Sequence, residues 1–217
     1  MRRVVVVALL TLAMALPIAA WADIITTNQG GTIAISAMAG TSGAGTIGSS
    51  TITSKGSELT QWNNATGNLG KVNFSTGTLA TGTISGGGTF NGGGSFDIIG
   101  IGKWAGTLTG TSCGAGCTLF TGSFVNPVTW TLDSAGKQQS TYTLSGTITG
   151  TLYDGRSVFG LTSQNISINS KGQLNQGIGH ITMGGTGITT PEPGTLGLLG
   201  TGLVAVAGMF RRRLIKG

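Results

Sequence analysis

Acid–base chemistry needs ionisable side chains brought together, and this chain offers few: one histidine, His180, and six acidic residues in 217. Glu58, Asp97, Asp133 and Asp154 are the carboxylates within the central region. Asp133, at the head of a polar stretch running to Gln139, and Asp154, in Tyr153-Asp154-Gly155-Arg156, both stand in turn contexts, where capping of the local backbone explains them. His180 beside Ile181 reads as a strand-end residue. No G-x-S-x-G elbow, phosphate loop or metal-spaced histidine pair occurs. A glycosidase pair would require the fold alone to bring Asp97 to Asp133 or Asp154. The expectation is a protein that is not an enzyme and holds no metal or other cofactor.

Two further residue types carry chemistry. Cys113 and Cys117 enclose Gly-Ala-Gly, with no second pair or nearby histidine to complete a metal site. In an oxidising compartment that spacing predicts a disulfide, stiffening a turn between Leu108 and Leu119 and contributing about 2 kcal/mol on the chain-entropy model. Aromatic platforms bind sugars, and Trp62, Trp104 and Trp130 are the candidates. Trp130 is in phase with Val128 and Leu132 and reads as core. Trp62, beside Gln61, Asn63 and Asn64, and Trp104 are left as candidate ligand-binding residues, with burial of Trp62 as the competing reading.

The elements that must position these residues are strands. Glycine accounts for 41 of 217 residues and charged residues for only 8%, a composition that penalises helices and suits strands joined by turns. From Thr141 to Leu152, Tyr142, Leu144, Ile148 and Leu152 alternate with a ladder of Thr and Ser, the mark of an antiparallel strand with one solvated face. Gly146 and Gly150 fall on its apolar side and leave gaps for a large side chain from an opposing sheet. Val72 and Phe74, Val128 to Leu132, Val158 and Leu161, Ile166 and Ile168, and Ile178 to Met183 continue the pattern, while residues 23–60 read as one or two weak strands. Gly86-Gly87-Gly88-Thr89-Phe90-Asn91 is echoed by Gly92-Gly93-Gly94-Ser95-Phe96-Asp97; two units cannot stack a calcium-binding solenoid, so they read as adjacent turns pinned by buried Phe. The expected fold is all-β, an antiparallel β-sandwich, with a jelly roll or partial barrel as the alternative.

Charge placement separates the body from the ends. Of the net +6, the stretch from Asp23 to Thr190 carries six basic against five acidic residues, leaving +1. That excludes a nucleic-acid-binding stripe. The rest flanks two apolar segments. Residues 1–22 run from Arg2-Arg3 through Val4 to Leu16 and on to Ala20-Trp21-Ala22, the three-part pattern of a secretory signal peptide cleaved before Asp23, with Ala20 and Ala22 in the peptidase pocket. Thr195 to Phe210 is an uncharged stretch of 16 residues closed by Arg211-Arg212-Arg213. As a helix it reaches about 24 Å, enough to cross a membrane if the Arg stems snorkel. The arginines stay cytoplasmic, which leaves the body outside.

Just upstream stands Pro191-Glu192-Pro193-Gly194. The order of Pro-Glu-Pro box, short apolar helix and Arg cluster in "PEPGTLGLLGTGLVAVAGMFRRRL" resembles the PEP-CTERM sorting tail. The resemblance implies that an exosortase, a membrane-embedded cysteine protease, recognises Pro191, Glu192 and Pro193, cuts there, and releases or re-anchors the protein. The chain thus divides into a signal peptide (1–22), a Gly/Thr-rich β body (23–190) and a sorting tail with a transmembrane helix (191–217). The expected partners are the secretion machinery, signal peptidase, an exosortase-type protease and, transiently, the inner membrane. The body is expected at the cell surface or in the extracellular matrix. Two roles stay open for it: a structural or adhesive component, or a module that binds extracellular polysaccharide.

Overall fold

The structure is a computed structural model and describes residues 24–36, 45, 47–136, 138–169 and 179–189. Its elements are β1 (Ile24–Ser36), β2 (Thr51–Trp62), β3 (Ala65–Ser75), β4 (Leu79–Thr83), β5 (Gly87–Phe90), β6 (Gly93–Gly100), α1 (Gly102–Thr109), β7 (Cys117–Phe124), β8 (Val128–Ala135), β9 (Gln139–Leu152), β10 (Ser157–Asn169) and β11 (Gly179–Thr189). Strand makes up 73% of the described residues and helix 5%, so the all-β expectation holds.

The sandwich does not. β10, β11, β1, β2, β3, β6, β7 and β9 pair in that order, and β9 pairs again with β10, so eight antiparallel strands close into a barrel. Sandwich and barrel strands share one alternation, inward apolar and outward polar. What separates them here is pairing: the β9–β10 hairpin, in which Ser157 faces Thr151, is joined to the other end of the body by the long-range ladder in which Ile24 of β1 faces Ile188 of β11. Closure leaves no exposed edge in the ring.

β9 also forks the sheet. Its second half, Ile148 to Leu152, pairs with β7, while Ser140 to Ser145 pairs with β8. Beyond the fork β8, β5 and β4 form a leaf that curls back to the entry of β2, where the Leu79 N–H donates to Ser50 O at 2.7 Å and the Gly48 N–H to Leu79 O at 2.8 Å. The chain crosses between ring and leaf at residues 76–78, 91–92 and 125–127, and these crossings lie backbone against backbone. A Cβ on Gly92 would stand 2.6 Å from Val125 O, and one on Gly77 would meet Asn91 O. The Gly-rich repeat belongs to this crossing: its two phenylalanines, Phe90 and Phe96, are both fully buried, but they enter different strands, β5 of the leaf and β6 of the ring.

One core fills the interior. Phe74 stacks on Phe96 at 5.9 Å, Phe124 meets both edge-on, and Trp130 stacks on Tyr142 at 4.4 Å. Tyr142, Leu144, Ile148 and Leu152 all point inward, as their alternation predicts. The gaps at Gly146 and Gly150 are filled, but by Phe124 and Phe120 of the neighbouring β7 and not by an opposing sheet. Residues 23–60 carry two long strands in place of weak ones. Leu161, three residues from Val158, falls on the opposite face of β10 and is exposed.

The helix α1 was not expected either. Two Gly and two Thr in eight residues give it weak intrinsic propensity, so packing must hold it. Ala105 is buried, Trp104 and Leu108 lie on the core, and Gly110 ends the helix in a left-handed turn at φ 72° with its N–H on Gly106 O. α1 packs against β3 and β7 at the end of the barrel where β11 finishes. Among the described residues no helix is long and apolar enough to cross a membrane; the expected spanning stretch, 195–210, lies outside them.

Candidate functional site

The ionisable groups are dispersed over the body. Asp97 on β6 accepts the Thr121 hydroxyl at 2.7 Å, and Asp133 accepts that of Thr143 at 2.7 Å. Asp133 sits in β8, not in the turn expected of it. Asp154 does cap its turn: Oδ1 takes the Arg156 N–H at 3.1 Å and Oδ2 pairs with the Arg156 guanidinium at 2.6 Å. His180 is the second residue of β11 and lines a shallow groove with Glu58 and Gln29. Among the described residues no group of three or more His, Cys, Asp or Glu is placed to hold a metal. Burial pushes the Tyr142 phenol above its ordinary value of 10.0, a shift that the Ser140 hydrogen bond opposes.

Cys113 is bonded to Cys117, with Cα atoms 5.1 Å apart. The bridge does not staple a hairpin tip; it comes just after α1, where Cys113 O accepts the Gly102 N–H at 3.0 Å, and so ties the helix to the start of β7. The sugar-platform candidates fare differently. Trp62 is only 4% exposed and is part of the core, so its ring face is not available to a ligand. Trp104 is half-buried, and its indole N–H donates to Leu69 O at 3.0 Å, which fixes it to the rim beside α1. Trp130 is core, with its indole N–H on Ile84 O at 2.8 Å.

Sequence reasoning missed a polar belt inside the barrel. The Asn28 amide donates to Ser57 Oγ and to Gln164 Oε1, each at 2.8 Å. The Gln164 amide donates to Thr162 Oγ1 at 2.9 Å, which meets Thr186 Oγ1 at 2.9 Å. All five residues are at least 97% buried. The signal was present: Thr162 and Gln164 stand in phase with Val158 and Ile166, where apolar residues were expected.

Outside, a groove of about 690 Å³ crosses β8, β9, β10, β11 and β1. Thr27, Thr129, Ser145 and Ser163 supply its hydroxyls, Ile25 and Leu161 its apolar wall, and Gly185 and Gly187 its floor. β11 runs past this groove and ends at Thr189, which faces Phe159 of β10. The Pro-Glu-Pro box therefore begins two residues beyond the last barrel residue. Pro191, Glu192, Pro193, Arg211, Arg212 and Arg213, like Ala20 and Ala22 at the other end, lie outside the described residues.

No curated protein and no solved structure matches the chain. Residues 189–213, however, match the model of the PEP-CTERM protein-sorting motif, over the segment that leaves the barrel. The chain carries a PEP-CTERM sorting tail, the mark of an exosortase substrate.

Proposed function

We propose that this is an exported protein held by its tail at the outer face of the inner membrane, processed there by an exosortase-type protease, and thereafter a structural or adhesive component of the cell surface or extracellular matrix. The observation that carries the reading is the sorting motif at 189–213, joined to the last barrel strand with no intervening domain. The body suits a non-catalytic role: its charge is +1 from Asp23 to Thr190, and its ionisable side chains are dispersed. Signal peptidase and the secretion machinery act first, at Ala20 to Asp23. Mass spectrometry of the native protein tests the sequence of events. The expected termini are Asp23 and a residue close to Pro193, with Glu192→Ala abolishing the second cut. Peptides through Phe210 recovered from mature surface protein would leave a plain membrane anchor.

One observation favours the polysaccharide-binding reading, the hydroxyl-lined outer groove beside Ile25 and Leu161, since sugars present both hydroxyls and apolar C–H faces. Binding of the processed protein to a glycan array, lost on filling the groove by Gly187→Trp, is the outcome this reading requires.

A further inference from the structure

Six large hydrophobic residues are exposed among the described residues, and four of them lie in neighbouring rows of the wall that runs from the end of β7 across β9, β10 and the last residues of β11 to β1. Leu161 (68% exposed) and Ile25 (57%) flank Gly187 from the two neighbouring strands. Phe159 faces Thr189, the residue from which the tail departs. Val125 joins the same row, because its N–H donates to Thr147 O and Thr147 faces Leu161. At Gly187 a Cβ would touch nothing within 4 Å, so the row stands open to its surroundings. Hydroxyl residues surround this patch, and no carboxylate stands in its rows; at the same barrel end Asp154 is paired with Arg156, and Lys103 of α1 is exposed.

The length of chain between the barrel and the apolar stretch bears on what could cover the patch. Five residues, Thr190 to Gly194, separate β11 from the apolar stretch. Fully extended they reach about 18 Å. A tail inserted in a bilayer therefore holds the β11 end of the barrel within that distance of the lipid surface, at a high effective concentration. We propose that the patch formed by Ile25, Val125, Phe159 and Leu161 rests on the lipid surface while the tail is anchored. Aliphatic and aromatic side chains without carboxylates enter the interfacial region of an anionic bilayer without charge repulsion. The barrel then lies on its β10–β11–β1 wall, with the Pro-Glu-Pro box confined to the membrane surface where a membrane-embedded protease works. This rests on the anchoring role of the tail proposed above.

The test uses the full chain in vesicles of phosphatidylcholine and phosphatidylglycerol. A nitroxide is placed at Leu161→Cys or, on the opposite wall, at Lys71→Cys; the native cysteines are bonded to each other, so the new thiol takes the label. Docking requires the label at 161 to show several-fold higher accessibility to oxygen relative to a water-soluble nickel complex than the label at 71. Equal, water-like values at both positions in floating vesicles overturn docking and leave the anchor standing. A label at 161 shielded from both reagents in proportion to protein density means that a second copy covers the patch, which also overturns it. A chain that does not float with the vesicles overturns the anchoring reading and docking together.

Discussion

Asn28, Gln164, Thr162 and Thr186 form a hydrogen-bonded chain inside the barrel, where an unmade buried bond costs about 1–3 kcal/mol; Asn28 is held through its amide N–H groups, and its Oδ1 has no partner among the described residues. Gly184 is what lets them meet: a Cβ there would strike Gln164 Oε1 and Asn28 Oδ1, side chains already held by the belt. Gly184→Ala is therefore expected to destabilise by about 1–3 kcal/mol through the lost bonds and local overpacking. Gly187→Ala, three residues on and facing open space, should stay within about 0.5 kcal/mol of the parent. Urea midpoints of the two variants check the pair; equal shifts would show that the belt does not depend on Gly184. Tyr142 gives a second prediction at this scale. Burial raises its folded pKa above the unfolded value of 10.0, so the unfolded state releases the proton first. Its contribution to stability is present below about pH 10 and is lost as pH rises through the raised folded value. The midpoint should fall more steeply above pH 10 in the parent than in Tyr142→Phe, which lacks the hydroxyl and its bond to Ser85 O.

At the scale of elements, what could be read was whatever a two-residue period encodes. β9 from Tyr142 to Leu152 and the apolar face of β8 from Val128 to Leu132 are legible from alternation alone, because each inward residue there is apolar or glycine and Trp130 falls in phase. β10 was read only in part: its inward face mixes Val158 and Ile166 with Thr162 and Gln164, and the apolar Leu161 points outward. The period was intact, but hydrophobicity no longer tracked it. α1 left no clear signal, since Gly102 to Thr109 has no side-chain N-cap and its helix formers Lys103, Ala105 and Leu108 are diluted by two Gly and two Thr. It forms because Ala105, Trp104 and Leu108 cover the barrel rim and the Cys113–Cys117 bridge ties down the loop between α1 and β7. The sorting tail was the most legible part, because a box, an apolar run and an Arg cluster act through order along the chain and need no fold to be recognised.

For the whole molecule, closure is the property that no local pattern could announce, because it depends on strands at opposite ends of the body. β11 sits between β10 and β1, pairing Ile188 with both Gly160 and Ile24 and placing Ile181 and Ile188 in the core. Its last barrel residue, Thr189, is also the first residue of the sorting motif. A cut at the Pro-Glu-Pro box, as proposed above, would fall just outside the barrel, and the two roles of this segment can be separated by where the chain stops. A protein spanning residues 23–189 keeps every ladder of the ring, so its urea midpoint should match that of the exosortase-processed protein to within about 0.5 kcal/mol. A protein spanning 23–169 loses β11 and leaves β1 and β10 as long unpaired edges, each a template for pairing with another chain. It should show no cooperative unfolding transition and should aggregate at concentrations where the longer form is monomeric. If 23–169 unfolds cooperatively with an unchanged midpoint, the barrel is held by its β2–β9 portion alone and β11 serves only to carry the tail.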